Sequence, residues 1–412
     1  MDGLIFGKHR HGGLTRTETK IKISKTHIGK DVGHRKLRRG LLVLDSHPES
    51  CLRLRKARLQ NGVLVKNLKK PEAAADKLFM AKVEKLLEHE VVRVSKELFT
   101  DGLPLPSEVF TRLPSGQFIL VGKKNDTGNL SSLHLMQEKQ VELYVRAEDY
   151  AQVVSYNVTL IEKTLKNESV SPNLKMNLLK GVAESAISDL IKKDLYVGSY
   201  DRCRQIVSFV QETVAQIKDF DKFLDIFSKL PGDLISHSLA TSVVALLICE
   251  QMDITMKSTL EKVVMGAFLH DIGLKEIPAE LLAKPRLQWT ESEVHYYESH
   301  TMRGVEILRD IKEIPSDVLA IILEHHENAL GLGYPRHIRD IKINPLARVV
   351  AVADCFVDLL YDGNKESVKR TPDEAISYIE NTLGQPFNKP AFLALKKVIH
   401  RNHLQKKLKG NA

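Results

Sequence analysis

Val264-Met265-Gly266-Ala267-Phe268-Leu269-His270-Asp271-Ile272-Gly273 reads as an apolar helix that ends on a histidine and an aspartate. A run this apolar predicts a helix buried at the point where it carries those two groups. Burying an imidazole beside a carboxylate is costly unless each is paired or holds a metal ion. The same residue types recur on either side: His237 upstream, then His300, His325-His326 and Asp354 downstream. The gaps between them, roughly 25–35 residues, match a helical hairpin, so the groups can meet at one site after folding. A lone histidine on an apolar face is usually a hydrogen-bonded core residue. The whole set together points to metal binding. Asp271 is suited to bridge two ions, because a carboxylate offers two oxygens.

The surrounding pattern is helical from about Asp149 to the end. Segments 150–167 and 172–194 carry apolar residues at three- and four-residue spacing, and Asp201–Leu230 continues in that style. Thr290-Glu-Ser-Glu293 and Thr371-Pro-Asp-Glu374 are capping boxes, while Ser316 and Asn344 are expected N-caps. Before this region, Val109–Leu113, Gln117–Gly122 and Val141–Arg146 read as short strands, with Pro114-Ser115-Gly116 as a turn. The expected fold is mainly α: a C-terminal all-α helical bundle preceded by a small α/β or mostly-β domain. Expected boundaries are a basic segment at 1–79, the small domain at 80–150, a helical linker at 151–200 and the metal-bearing bundle at 201–405.

The chain has 412 residues, 43% hydrophobic and 27% charged, which excludes disorder throughout and a disulfide-built scaffold. Cys51, Cys203, Cys249 and Cys355 lack paired spacing, which fits a reducing cytoplasmic setting. The longest apolar stretch, Leu239–Cys249, is shorter than a bilayer span requires, and the N-terminus has no secretory pattern. Neither a membrane span nor a signal is expected. Residues 1–70 carry a net +13 and the remainder −4. The basic segment reads as a nucleic-acid-binding or membrane-surface arm, as a tail without a dedicated partner, or as sequence ahead of a start at Met80, where a helical pattern opens. Nucleic acid is not an expected partner except through that segment.

His270-Asp-Ile-Gly273, Ile277-Pro278, His300-x-x-x-Gly304, His325-His326-Glu327, Gly331-x-Gly333-Tyr334-Pro335 and Val352-Ala353-Asp354 resemble, in order and spacing, the HD-GYP family of the HD phosphohydrolase superfamily. The resemblance covers about residues 200–400. It implies a helical HD-type bundle that hydrolyses cyclic di-GMP to a linear dinucleotide or GMP, by attack of a metal-bridging hydroxide. It also implies two or three divalent ions, iron or manganese. One would be held by His237, His270, Asp271 and Asp354, the second by His300, His325 and His326 with Asp271 bridging. Asp233 stands where some members use a glutamate for a third ion. His270 and Asp271 take the catalytic positions, and Gly333, Tyr334, Pro335 and Lys275 the substrate-facing ones.

The chain departs from the family at several substrate-contact positions. Leu274 stands where the family has lysine, Asn328 and Leu330 where it favours arginine and aspartate, and Val357 where an aspartate is frequent. An Arg-x-Tyr element is not recognisable around Tyr361–Lys369. Two functions are therefore expected from different classes. The first is a cyclic di-GMP phosphodiesterase. The second is a catalytically weak module that senses the nucleotide or docks a signalling protein partner.

Overall fold

The computed structural model describes residues 58–60, 63–65, 83–84, 86–99, 103–127, 142–167, 169–192, 198–216, 233–361, 369–384 and 386–410. Most of the basic segment 1–79, the end of the Asp201–Leu230 stretch and residues 362–368, where the Arg-x-Tyr element is sought, lie outside these residues. The chain divides into two units, 1–78 and 79–412. In the first, β1 (Arg58–Gln60) and β2 (Val63–Val65) pair as antiparallel strands.

The second unit begins with β3 (Val83–Glu84), β4 (Val91–Val94), β5 (Val109–Arg112), β6 (Phe118–Gly122) and β7 (Leu143–Arg146). They form an antiparallel sheet in the order β3-β6-β5-β7-β4. β3 corrects the helix expected from Met80: Val83 pairs with Ile119, and sheet pairing overrides a short helical pattern. The Pro114-Ser115-Gly116 turn joins β5 to β6. Gly116 takes φ +82°, a conformation open to glycine, and its N–H donates to the Leu113 carbonyl at 2.8 Å.

Alternation along β7 decides which way the sheet faces. Leu143 and Val145 are buried while Tyr144 and Arg146 are half-buried. The Leu143 face joins the main core with Val153 and Ile161 of α1 (Ala147–Leu165) and Val182 and Ile187 of α2 (Pro172–Ile191). On the other face Val91, Phe110, Phe118 and Leu120 make a smaller cluster. Where a linker is expected over 151–200, α1 and α2 are therefore packed into the shared core.

The bundle continues with α3 (Ser199–Gln216), α4 (Leu234–Gln251), α5 (Lys257–Leu269) and α6 (Ala279–Ala283). There follow α7 (Glu291–Glu298), α8 (His300–Leu308), α9 (Ser316–Glu324), α10 (Pro345–Leu360), α11 (Pro372–Asn381) and α12 (Lys389–Gly410). α4 is apolar on every side, as a central helix must be. Among the described residues it is the helix long and apolar enough to cross a membrane, but most of it is buried inside the protein. It packs against α5, α10 and α12. Thr290 and Thr371 form the expected capping boxes, and the Asn344 side chain accepts the Leu346 N–H at 2.8 Å. Ser316 does not cap α9. Pro315, extended at ψ 144°, holds the cap position and Ser316 is the first helical residue.

Candidate metal centre

The ionisable side chains are delivered largely by helix ends. His237 lies in the first turn of α4, and His270 and Asp271 follow α5 directly. His300 opens α8, while His325 and His326 follow α9. Asp354 projects from the middle of α10. Their donor atoms gather into two adjoining groups, His237, His270 and Asp354 in one and Asp271, His300, His325 and His326 in the other. Asp271 faces both: Oδ2 lies 3.4 Å from His270 Nε2, and Oδ1 lies 3.3 Å from His300 Nε2 and 3.5 Å from His325 Nε2. His326 Nδ1 stands 3.7 Å from Asp354 Oδ2.

Three of the rings are oriented by the helical turn that precedes them. The Nδ1–H of His270 donates to the Ala267 carbonyl at 2.7 Å, that of His300 to Tyr297 at 2.7 Å, and that of His325 to Ile322 at 2.9 Å. Each bond spans three residues, fixes the tautomer and leaves the Nε2 lone pair aimed at the cluster. Opposed Nε2 atoms then lie 3.2 Å apart for His237 and His270, and 3.4 Å apart for His300 and His325. Lone pairs at such a separation repel unless a shared proton or a cation stands between them. Nitrogen–metal bonds of about 2.0–2.1 Å place neighbouring ligands roughly 3.0–3.4 Å apart. Asp271 Oδ1 is buried and has no hydrogen-bond partner among the described residues, a costly arrangement unless a cation compensates it. The donor set fits divalent metal ions.

Protons partition unevenly across the cluster. Burial opposes charge on His237, but its hydrogen bond to Asp354 and the carboxylates of Asp358 and Asp354 outweigh that and raise its pKa. Burial likewise opposes charge on His270, yet Asp271 and Asp354 hold its pKa well above the ordinary value. Burial pushes His325 and His326 down, so they favour the neutral, ligating form. Asp271 resists the upward push of burial through His270, His300 and His325, and its carboxyl stays well below the usual range. Asp358, one turn after Asp354 and 3.5 Å from His237 Nδ1, is pushed up to about 6 by desolvation and by the Asp354 charge.

Asp233 lies outside both groups. Its Oδ1 accepts the Ser236 N–H at 2.9 Å, capping α4, and its Oδ2 pairs with the buried Lys180 at 2.5 Å. With one oxygen bonded to the Ser236 N–H and the other to Lys180, Asp233 lines a cavity beside His237. The loop after α9 is held by Glu327, which is almost fully buried: its carboxylate accepts the Arg336 N–H at 2.6 Å and the Ile338 N–H at 3.0 Å. Glu324 assists by pairing with the Arg336 guanidinium. Gly333 fits beneath this loop because a Cβ there would stand 2.2 Å from the His326 carbonyl oxygen. The Tyr334 ring packs on His326 with centroids 4.7 Å apart and meets Pro335 through a cis peptide bond.

A cavity of about 350 Å³ opens over His237, Asp271 and Asp354, within the size range of small-molecule sites. Leu274 and Lys275 both line it. Gly333, Tyr334 and Pro335 are not among its walls. Its lining also includes Arg286, Trp289 and Tyr297, none of which the sequence motifs single out. A usable signal existed: the chain's one tryptophan, three residues after Arg286, directly precedes the capping box that leads to His300.

A family model for the HD domain matches residues 223–388. A cyclic di-GMP phosphodiesterase response regulator of Xanthomonas campestris is 35% identical over 148 residues, covering 36% of this chain and 38% of that protein. A cyclic di-GMP phosphodiesterase of Thermotoga maritima is 36% identical over 138 residues, covering 32% of this chain and 37% of its own. The chain thus spans less than two-fifths of the length of these relatives. An HDG"Y"P protein of Bdellovibrio bacteriovorus superposes with a TM-score of 0.60 at 17% identity, covering 76% of this chain and all of that one, a likeness of fold. The helices that gather the histidine and aspartate cluster lie within this matched region, and it is over residues 223–388 that the chain is similar to the HD domain.

Proposed function

We propose that this protein is a metal-dependent phosphodiesterase of the HD-GYP type that hydrolyses cyclic di-GMP in the cytoplasm. The observation that carries the reading is the pair of adjoining imidazole–carboxylate groups sharing Asp271, open to one cavity. Support for the substrate comes from the names of the relatives, cyclic di-GMP phosphodiesterases of Xanthomonas campestris and Thermotoga maritima. Two ions are read from the two groups. Iron or manganese suits a mixed shell of imidazole and carboxylate. When bound, such ions polarise a phosphodiester and activate water at neutral pH.

The chain's own residues have definable tasks. Asp271 joins the two groups and supplies the negative charge common to both. His270, His300 and His325 are held in their ligating tautomer by the carbonyls behind them. Asp358 lines the cavity and stands 3.5 Å from His237 Nδ1, where it steadies that ring. Tyr334 and Glu327 hold the loop beside His326.

The test is elemental analysis of anaerobically purified protein, paired with chromatography of products from cyclic di-GMP. Bound iron or manganese with release of a linear dinucleotide or GMP is expected, and chelation should abolish turnover and lower Tm. Leu274 favours a second reading, because it places an alkyl group in the cavity where a cation would help a phosphate. A metal-loaded protein that binds cyclic di-GMP and releases no product would establish that sensor or docking function instead.

A further inference from the structure

The cavity beside the metal cluster carries in its wall a cation that neither the motifs nor the metal groups use. The Arg286 guanidinium lies 4.7 Å from the Tyr297 ring centroid and 5.5 Å from that of Trp289, and its Nη2 donates to the Tyr297 hydroxyl at 2.8 Å. Both rings are themselves fixed. Trp289 donates its indole N–H to the Lys284 carbonyl at 2.9 Å, and Tyr297 packs on His300 with centroids 5.0 Å apart. Among the described residues Arg286 forms no ion pair with a carboxylate, unlike Lys284 two residues earlier, which is paired with Glu293 at 2.7 Å. Arg286 is exposed, yet it faces the same cavity as His237, Asp271 and Asp354.

A positive charge held by two aromatic faces keeps most of its hydrogen-bond donors available, because ring contacts consume none of them. The guanidinium fork matches two oxygens of a phosphate, which a lysine ammonium cannot do. We infer that Arg286, set against Trp289 and Tyr297, is a substrate-binding cation of this site, additional to Lys275, and contacts a non-bridging oxygen of the phosphodiester. The inference rests on the phosphodiesterase reading and adds to it a residue that holds the anion. It also bears on Leu274: with Arg286 in the lining, the cavity does not depend on a cation at position 274.

The experiment compares wild type with Arg286→Met and Arg286→Lys in manganese-loaded protein. Inorganic phosphate is titrated calorimetrically, and KM and kcat for cyclic di-GMP are measured alongside metal content. Arg286→Met should weaken phosphate binding and raise KM about 10- to 100-fold at unchanged metal content, with Arg286→Lys between the two. Equal phosphate affinity in wild type and Arg286→Met, or no phosphate binding by wild type, overturns the assignment whether or not cyclic di-GMP is hydrolysed. A wild type that hydrolyses no cyclic di-GMP, but whose phosphate binding falls in Arg286→Met, supports Arg286 and overturns the substrate reading. Should Arg286→Met lose metal, Arg286→Lys decides, since it keeps the charge and removes only the fork; an unchanged phosphate affinity there overturns the assignment.

Discussion

Gly273 packs so tightly against His300 that a Cβ on Gly273 would stand 2.0 Å from the His300 carbonyl oxygen. The same atom would meet the Gly304 nitrogen at 2.7 Å, so the obstruction is backbone on both sides. The turn after Asp271 and the start of α8 can approach this closely only because residue 273 lacks a side chain. That approach is what sets Asp271 Oδ1 3.3 Å from His300 Nε2.

Gly273→Ala should therefore act on the site as well as on stability. Forcing a methyl group into a packed backbone contact costs about 1–3 kcal/mol. At roughly 2–4 °C per kcal/mol, Tm should fall by several degrees. Calorimetry and elemental analysis check this together, and metal should be lost along with stability. A variant with normal metal content and normal Tm would show that the contact is not limiting.

Asp271→Ala should empty both groups rather than one, because the two carboxylate oxygens face opposite ways. Less than one ion per chain is expected by elemental analysis, together with loss of turnover. Two ions retained per chain would mean that the imidazoles hold metal without a shared carboxylate.

Glu327→Gln tests the loop beside His326. The amide keeps one acceptor but turns a donor toward one of two backbone N–H groups, costing about 1–3 kcal/mol. Amide exchange at Arg336 and Ile338 should accelerate before exchange in α10 changes. Unaltered protection at both amides would show that Glu327 does not restrain the loop.

Asp233→Ala separates a structural carboxylate from a metal ligand. It removes the cap on α4 and one partner of Lys180, which retains Glu97 at 3.7 Å. A loss of about 1–2 kcal/mol in stability is expected, with metal content unchanged. Loss of one ion would instead restore Asp233 to the metal centre.

The helical bundle and the positions of its ionisable residues were legible because both depend on local pattern. Helix periodicity and capping boxes are written in adjacent residues, and Thr290 and Thr371 behave as read. Convergence of the histidine and aspartate side chains followed from the cost of burying them singly. The strand at Val83–Glu84 was not legible, since its reason is Ile119, more than thirty residues away. Asp233 misled for a related cause: its place one turn before His237 suits a ligand, but only the fold brings Lys180 to it. Arg286 was hidden because a cation three residues from a tryptophan in a polar loop has many explanations until the cavity it lines is known.

The carbonyl tethers on His270, His300 and His325 have a mechanical consequence. A ring fastened three residues back along its own chain cannot swing to follow an ion of another radius without distorting that helical turn. Adjustment to the size of an ion is therefore left to the untethered members of the centre, His237, His326 and the carboxylates of Asp271 and Asp354.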